Sequence, residues 1–141
     1  MSDYDTDILS WSERQAALLR HVAAGSRTND APDWVNIIEE IESVGRSELG
    51  QVESWLYQAL LHMLKAAAWP LSRDVAHWQG EARGFRAQAR RKYRASMAQK
   101  IDVPGLYADA LYALPDTIDG QDPLPLPAGC EVTLDELLAL G

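Results

Sequence analysis

A stretch without proline, from Asp33 to Ala68, constrains the fold of this chain more than any other feature. Its apolar residues recur at steps of three and four, which places them on one face of an α-helix. On an ideal helix the stripes of residues 34–44 and 49–64 are offset by about 50°, less than the width of either stripe. The sequence therefore predicts one long core helix over about 33–68, with its buried positions at Trp34, Ile37, Ile38, Ile41, Val44, Leu49, Val52, Trp55, Leu56, Ala59, Leu60, Met63 and Leu64.

Two glycines, Gly45 and Gly50, interrupt this stretch. Each costs about 1 kcal/mol relative to alanine in a helix interior. We expect the helix to continue through both glycines, and a kink between them is the main alternative. The N-cap of this helix is expected at Asp30, because Pro32 then falls in the first turn.

Helical patterns lie on both sides of the central segment. A first helix is predicted to begin between Asp7 and Ser12 and to end near Ala24, before Gly25. A third helix is predicted over about 72–100, and a fourth over 106–114. The third follows from the three- and four-residue spacing of Val75, Trp78, Ala82, Phe85 and Ala89.

The C-terminal region has a different composition. Residues 115–129 contain four of the seven prolines, so residues 115–132 are expected to form an extended arm. A capping box from Thr133 to Glu136 predicts a short terminal helix over 133–140, with Val132 and Leu137 as its hydrophobic staple. No alternating strand pattern competes with these helices. We therefore expect an all-α fold, a helical bundle built on the long central helix, with residues 1–141 forming a single helical domain.

Length and composition bound the class of protein. A chain of 141 residues that is 47% hydrophobic can bury a core without covalent cross-links. Its lone cysteine, Cys130, excludes an internal disulfide framework and favours a reducing compartment. Residues 1–7 are acidic and lack the basic and apolar regions of a signal peptide, and no apolar run approaches eighteen residues. We expect a soluble cytoplasmic protein that does not bind membranes.

Charge is unevenly distributed along the chain. The net charge is −8, but residues 83–100 hold seven of the thirteen basic residues and no acidic one. The other residues, with six basic and 21 acidic side chains, carry −15. This acidity opposes generalised binding to nucleic acid. A basic helix in an acidic protein more often neutralises its neighbours or a second subunit, so a nucleic-acid surface on 83–100 is kept as an alternative.

The residues of the central segment resemble a known family. The segment reads Asp33-Trp34-x-Asn36-Ile37-x-Glu39-Glu40-Ile41-Glu42-Ser43-x-Gly45-Arg46-Ser47-Glu48. It is preceded by Tyr4, Asp5, Asp7 and Trp11 and followed by residues 60–65. This pattern is similar to that of the bacterial family catalogued as domain of unknown function number twenty-nine. The resemblance covers nearly the whole chain. It implies an all-helical, bundle-like domain and carries no established activity, so it assigns no catalytic residue.

Carboxylates on a bundle helix can hold a metal centre, and this possibility concerns Glu40, Glu42 and His62. The Glu-x-x-His motif that such centres use on each of two helices is absent. Glu40 and His62 are separated by about 33 Å along a straight helix. They can share an ion only if the helix folds back near Gly45 or a second subunit intervenes. We therefore expect no metal and no cofactor, and keep a metal-dependent bundle enzyme as an alternative.

A structural role for the acidic block is favoured instead. Asn36 and Glu40 lie on one flank of the predicted apolar face and Glu42 on the other. On the third helix Arg86 and Arg90 lie nearest the apolar seam. We expect Arg86 or Arg90 to pair with Glu40 or Glu42 across the helix interface and fix the register of the two helices. These five residues form the predicted polar cluster, and none is predicted to be catalytic.

The two long helices expose more apolar surface than one short partner can cover. A homo-oligomer is therefore expected. The sequence thus favours a helical interaction or scaffold module that oligomerises, with the metal-dependent enzyme and the nucleic-acid-binding helix as the alternatives.

Overall fold

The computed structural model describes residues 3–25 and 29–139, and these form an all-α fold. A short helix α1 (Asp3–Thr6) precedes α2 (Ile8–Ala23), the long α3 (Trp34–Ala68) and α4 (Val75–Lys92). A 3₁₀ turn, Ala95–Met97, leads to α5 (Val103–Ala113) and then to α6 (Leu134–Ala139). The predicted all-α class and the long central helix are confirmed. Residue 140, where the terminal helix was expected to end, lies outside the described residues.

The central helix continues through both of its glycines. Residues 34–68 are helical throughout, including Gly45 and Gly50. A Cβ atom built on either glycine would contact nothing within 4 Å, so neither glycine is required by a close approach of neighbouring atoms. None of the described helices combines the length and apolarity that a membrane span requires.

The chain packs as two compact units, Met1–Arg46 and Ser47–Gly141. The core of the second unit forms on the C-terminal half of α3. Val52, Leu56 and Ala59 are completely buried there, and Leu60 and Leu64 nearly so. These α3 side chains share one core cluster with residues of α4, α5, α6 and the segment between α4 and α5, namely Ala89, Met97, Ile101, Val103, Tyr107, Ala110 and Leu137. Burial of a leucine stabilises the fold by roughly 1.5–3 kcal/mol.

The N-terminal half of α3 differs from the prediction. Of its expected core positions only Ile37 is buried, whereas Trp34, Ile38, Ile41 and Val44 are 48%, 53%, 67% and 63% exposed. The predicted burial of these four residues is therefore wrong. In the N-terminal unit α2 contacts the first turn of α3 through Asp33, and this contact does not cover the apolar face beyond it.

The helix α4 is shorter than predicted. It ends at Lys92 instead of near Lys100, because Tyr93 adopts an extended backbone with φ −61° and ψ 140°. Three basic residues, Arg90 to Lys92, occupy its last turn, where positive charge is favoured by the helix dipole. Ending the helix here lets Met97 and Ile101 turn into the core cluster.

Hydrogen bonds to its backbone hold the proline-rich arm against the rest of the second unit. The indole nitrogen of Trp69 donates to Gln121 O at 2.9 Å, and the backbone nitrogen of Leu124 donates to Ala68 O at 2.9 Å. The hydroxyl of Tyr107 donates to Pro127 O at 2.6 Å. Extended backbone needs such external partners, and the arm receives them from α3, α5 and the chain just after α3.

The arm contains a tight turn and is followed by a capping box. Asp119 and Gly120 have φ of 51° and 74° and join Ile118 to Gln121, as expected of a two-residue turn with Asp-Gly at its centre. Thr133 and Glu136 form the predicted capping box: each side chain accepts a hydrogen bond from the other residue's backbone nitrogen, both at 3.2 Å. Leu137 then lies fully buried in the core.

Truncating the central core residue Leu56 to alanine is expected to destabilise the second unit by about 2–5 kcal/mol, because a cavity replaces a fully buried side chain. Leu71→Ala removes the same atoms from a residue that is 98% exposed and is expected to cost less than about 0.5 kcal/mol. Urea unfolding followed by circular dichroism measures both changes. Equal losses for the two variants would contradict the assigned core.

Candidate functional site

A polar network surrounds Asp33 at the start of α3. The Asp33 carboxylate accepts hydrogen bonds from the Trp11 indole nitrogen at 3.2 Å and from the Asn36 side-chain amide at 2.8 Å. It also accepts from the backbone nitrogen of Asn36 at 3.4 Å. The backbone nitrogen of Asp33 donates to Gln15 Oε1 at 2.7 Å. One residue of α3 is thereby connected to two side chains of α2.

These bonds correct the predicted N-cap. Asp33, and not Asp30, immediately precedes the helix and accepts from the amide three residues on, as an N-cap does. Asp30 instead pairs with Arg14, with its carboxylate 3.3 Å from the guanidinium. Placing the cap at Asp33 puts Pro32 outside the helix. The carboxylate then also reaches Trp11.

Tyr4 and Glu40 extend the network. The rings of Tyr4 and Trp11 meet edge to face with centroids 4.9 Å apart. The hydroxyl of Tyr4 is hydrogen-bonded to the Glu40 carboxylate, and this bond is the main cause that raises the pKa of Tyr4 to about 12. The network therefore includes residues of α1, α2 and α3. We name it the latch and define it as Tyr4, Trp11, Gln15, Asp33, Asn36 and Glu40.

The electrostatics of the latch favour a structural role. Hydrogen bonds from the Asn36 side chain and then from Trp11 lower the pKa of Asp33, so its carboxylate stays ionised. The pKa of Tyr4 is shifted in the opposite direction, so its hydroxyl stays protonated. Efficient general acid–base catalysis needs a pKa near the working pH. Both shifts move away from neutrality, and the latch is suited to holding helices and not to transferring protons.

The five residues of the predicted polar cluster have different surroundings. Asn36 and Glu40 both belong to the latch. Glu42 lies on the surface, 3.8 Å from Arg46, which also bonds Glu39 at 2.5 Å. The predicted pairs between these acids and the arginines of α4 are not tested by the structure and stay a prediction.

Arg86 has well-defined partners within the second unit. Its Nε donates to Leu137 O and its Nη2 donates to Glu136 O, both at 2.8 Å. These carbonyls lie in the last turn of α6, where backbone acceptors have no partner within the helix. The planar guanidinium can bind two carbonyls at once, and Arg86 thereby fastens α6 to α4. Arg90 is exposed on the same helix.

His62 is a half-buried residue on α3. Its Nδ1 lies 2.7 Å from Gln58 O, so this nitrogen carries the proton and donates to the carbonyl. Its ring contacts Phe85 with centroids 5.4 Å apart. Among residues 3–25 and 29–139, no group of three or more His, Cys, Asp or Glu side chains is arranged to hold a metal ion.

Sequence reasoning did not assign Tyr4, Trp11 and Gln15 to the site. Tyr4 and Trp11 were part of the family pattern but lie far from Asp33 along the chain, and no periodicity connects them to it. Gln15 follows Trp11 by four residues and is buried, which is unusual for a glutamine. The spacing from Trp11 to Gln15 on one helical face was the available signal.

The fold and the latch thus define an all-α domain built on one long helix, and comparison with known proteins identifies its family. The chain matches the family described as "Domain of unknown function DUF29" over residues 4–140 and belongs to that family. The chain is also similar to a solved crystal structure of an α-helical protein of unknown function from Rhodospirillum rubrum. That similarity has a TM-score of 0.57 and 26% sequence identity, and it covers 98% of this chain and 90% of the other. No curated protein matches the sequence.

Neutralising the cap residue with Asp33→Asn is expected to lower the thermal unfolding midpoint at pH 7. Because the folded-state pKa of Asp33 lies below its ordinary 3.8, its contribution is complete above that value and disappears as the pH falls through the lowered pKa. The difference in unfolding midpoint between Asp33→Asn and the wild type should therefore become smaller at acidic pH. Thermal melts at pH 7 and below pH 3.8 measure it.

The exposed carboxylate of Asp116 provides the control. Asp116→Asn is expected to leave the midpoint unchanged at both pH values. A difference for Asp33→Asn that stays constant with pH would contradict the assigned role of the charge.

Proposed function

We propose that this protein is a helical interaction module that self-associates, and that its contact surface is the N-terminal half of α3. The observation that carries this proposal is the apolar stripe, defined as Trp34, Ile38, Ile41 and Val44. All four residues are about half exposed or more in the single chain. Large apolar side chains grouped on one helical face mark a contact surface, whereas single exposed ones do not.

The spacing of the stripe is that of a helix-packing surface. Trp34, Ile38 and Ile41 follow steps of four and three residues and lie within about 60° of one another on an ideal helix. A helix with such a seam packs by inserting its side chains into the surface of a facing helix. The latch holds the first turn of α3, which starts the stripe, in a defined conformation. Less conformational entropy is then lost when a partner binds.

The known relatives are compatible with a role in binding and assign no chemistry. The family and the similar solved structure are both described as being of unknown function. The single cysteine suits a reducing compartment, and the cytoplasm is the compartment that we propose for the module. Its partner there is a second copy of the same chain.

The metal-dependent alternative would require existing bonds to be exchanged. Glu40 is hydrogen-bonded to Tyr4 and Glu42 is paired with Arg46. His62 donates through Nδ1 to Gln58 O, which leaves only Nε2 as a metal ligand. A metal would therefore have to displace the bonds of both carboxylates, and we favour the interaction module.

Replacing two residues of the stripe, as Ile38→Ser/Ile41→Ser, is expected to abolish self-association while leaving the helical content unchanged. The replaced side chains are 53% and 67% exposed in the single chain, so the folded monomer loses little, whereas the contact loses its apolar centre. Sedimentation velocity over a hundredfold range of about 1–100 µM, the usual range of transient association, measures the mass.

The control replaces two exposed apolar residues that lie outside the stripe. Leu71→Ser/Tyr112→Ser changes side chains that are 98% and 94% exposed and should associate as the wild type does. A wild-type chain that stays monomeric at every concentration would refute the proposed function.

A further inference from the structure

Opposite charges are concentrated on two segments of this chain. Residues 33–48, which carry the stripe, contain five acidic residues and one arginine, a net charge of −4. Residues 83–100 contain seven basic residues and no acid. Within the C-terminal unit no described acidic side chain forms an ion pair with Arg83, Arg90 or Arg91. The basic segment therefore has charge available for a partner.

The acidity beside the stripe opposes contact between two identical stripes. Glu39, Glu42 and Arg46 form one cluster on the surface, and its net charge is negative. Two copies meeting stripe to stripe would bring a charge of −4 against −4, which costs free energy and slows association. The surface that covers the stripe should therefore be basic.

The outer side of α4 has the required charge. Ala76, Arg83, Ala87 and Arg90 are exposed and fall within an arc of about 60° on an ideal helix. We define these four residues as the basic face. The guanidinium of Arg94 adds to the charge at its end, where it donates to the backbone carbonyls of Arg91 and Tyr93.

The shape of the basic face also suits the stripe. The two alanines leave room for bulky side chains such as Trp34 and Ile38. The long methylene stems of Arg83 and Arg90 can cover apolar surface while their charged ends stay hydrated. Those ends can then reach Glu42, which borders the stripe about 40° from Ile38 on an ideal helix.

We propose that the stripe of one chain packs against the basic face of α4 in a second copy, with Glu42 at the edge of the stripe facing Arg83 or Arg90. This inference rests on the proposed self-association and names the surface that it uses. Each copy carries both surfaces, so the contact can form reciprocally. Electrostatic attraction between the two surfaces also makes association faster and dependent on salt.

Charge reversal tests the pairing without removing an apolar residue. Arg83→Glu/Arg90→Glu changes the basic face, and Glu39→Lys/Glu42→Lys reverses the charge of the cluster that Glu39 and Glu42 form with Arg46 beside the stripe. Each variant alone is expected to associate at least about tenfold more weakly than the wild type, the size of a modest charge coupling. An equimolar mixture of the two variants should regain association, because the acidic α4 of one copy then faces the lysines of the other.

Sedimentation velocity of each variant and of the mixture gives the result, and circular dichroism checks that the helices are retained. Association of Arg83→Glu/Arg90→Glu at wild-type strength would overturn this inference, as would a mixture that stays dissociated. If the charge variants overturn this inference but the wild type associates and Ile38→Ser/Ile41→Ser is monomeric in the same experiment, the proposed function still holds. A monomeric wild type refutes the proposed function itself.

Nucleic acid is the competing ligand for the basic face. The test is retention of the wild type on duplex DNA or RNA at about 50 mM salt. If the wild type is retained, and if Arg83→Glu/Arg90→Glu abolishes retention while self-association is unchanged, the inference is also overturned. We expect no retention, because the chain as a whole carries −8.

Discussion

The burial of one face of α3 is the interaction on which the second unit depends. Val52, Leu56 and Ala59 lose all contact with solvent there, and helices α4, α5 and α6 each contribute to the same core cluster. In the sequence, Trp34, Ile38 and Ile41 repeat the spacing of these three residues, each eighteen positions earlier. The same pattern of apolar residues is thus fully covered in one half of α3 and exposed in the other. Because burial of such residues is the main favourable term in folding and association, the exposed half is the surface that we propose a partner covers.

The latch explains the family pattern at the start of α3 in structural terms. Asp33 caps the helix, fixes the side chain of Asn36 and binds the indole of Trp11. Tyr4 forms a hydrogen bond to Glu40, which lies about one helical turn after Asn36 on α3. The ionised Asp33 and the protonated Tyr4 are both far from titrating at neutral pH, so these bonds persist under ordinary conditions. The polar residues of the pattern therefore orient the helix that presents the stripe.

Features encoded by neighbouring residues could be predicted from the sequence. The long helix, the arm and the capping box of Thr133 and Glu136 each follow from signals within a few residues, and the structure confirms them. The end of α4 could not be predicted in this way. Tyr93 and Met97 continue the helical spacing beyond Ala89, but Met97 reaches the core through a 3₁₀ turn instead.

Features that depend on residues far away in the chain could not be predicted from the sequence. Helical periodicity identifies the apolar face of α3 but not what covers it, so the exposure of Ile38 and Ile41 was missed. The cap at Asp33 is decided by Trp11 and Gln15, which lie about twenty residues earlier in the chain. Arg86 binds two carbonyls of α6, which lie about fifty residues further along the chain. A backbone acceptor has no signature in the sequence.

The central claim is that a second copy covers the stripe. Carbene footprinting of the full chain followed by mass spectrometry tests it directly, because the reagent labels side chains according to their exposure. The account predicts that labelling of Trp34, Ile38 and Ile41 falls as the protein concentration rises, while labelling of Leu71 stays constant. Labelling of the three stripe residues that is equal at all concentrations would contradict it.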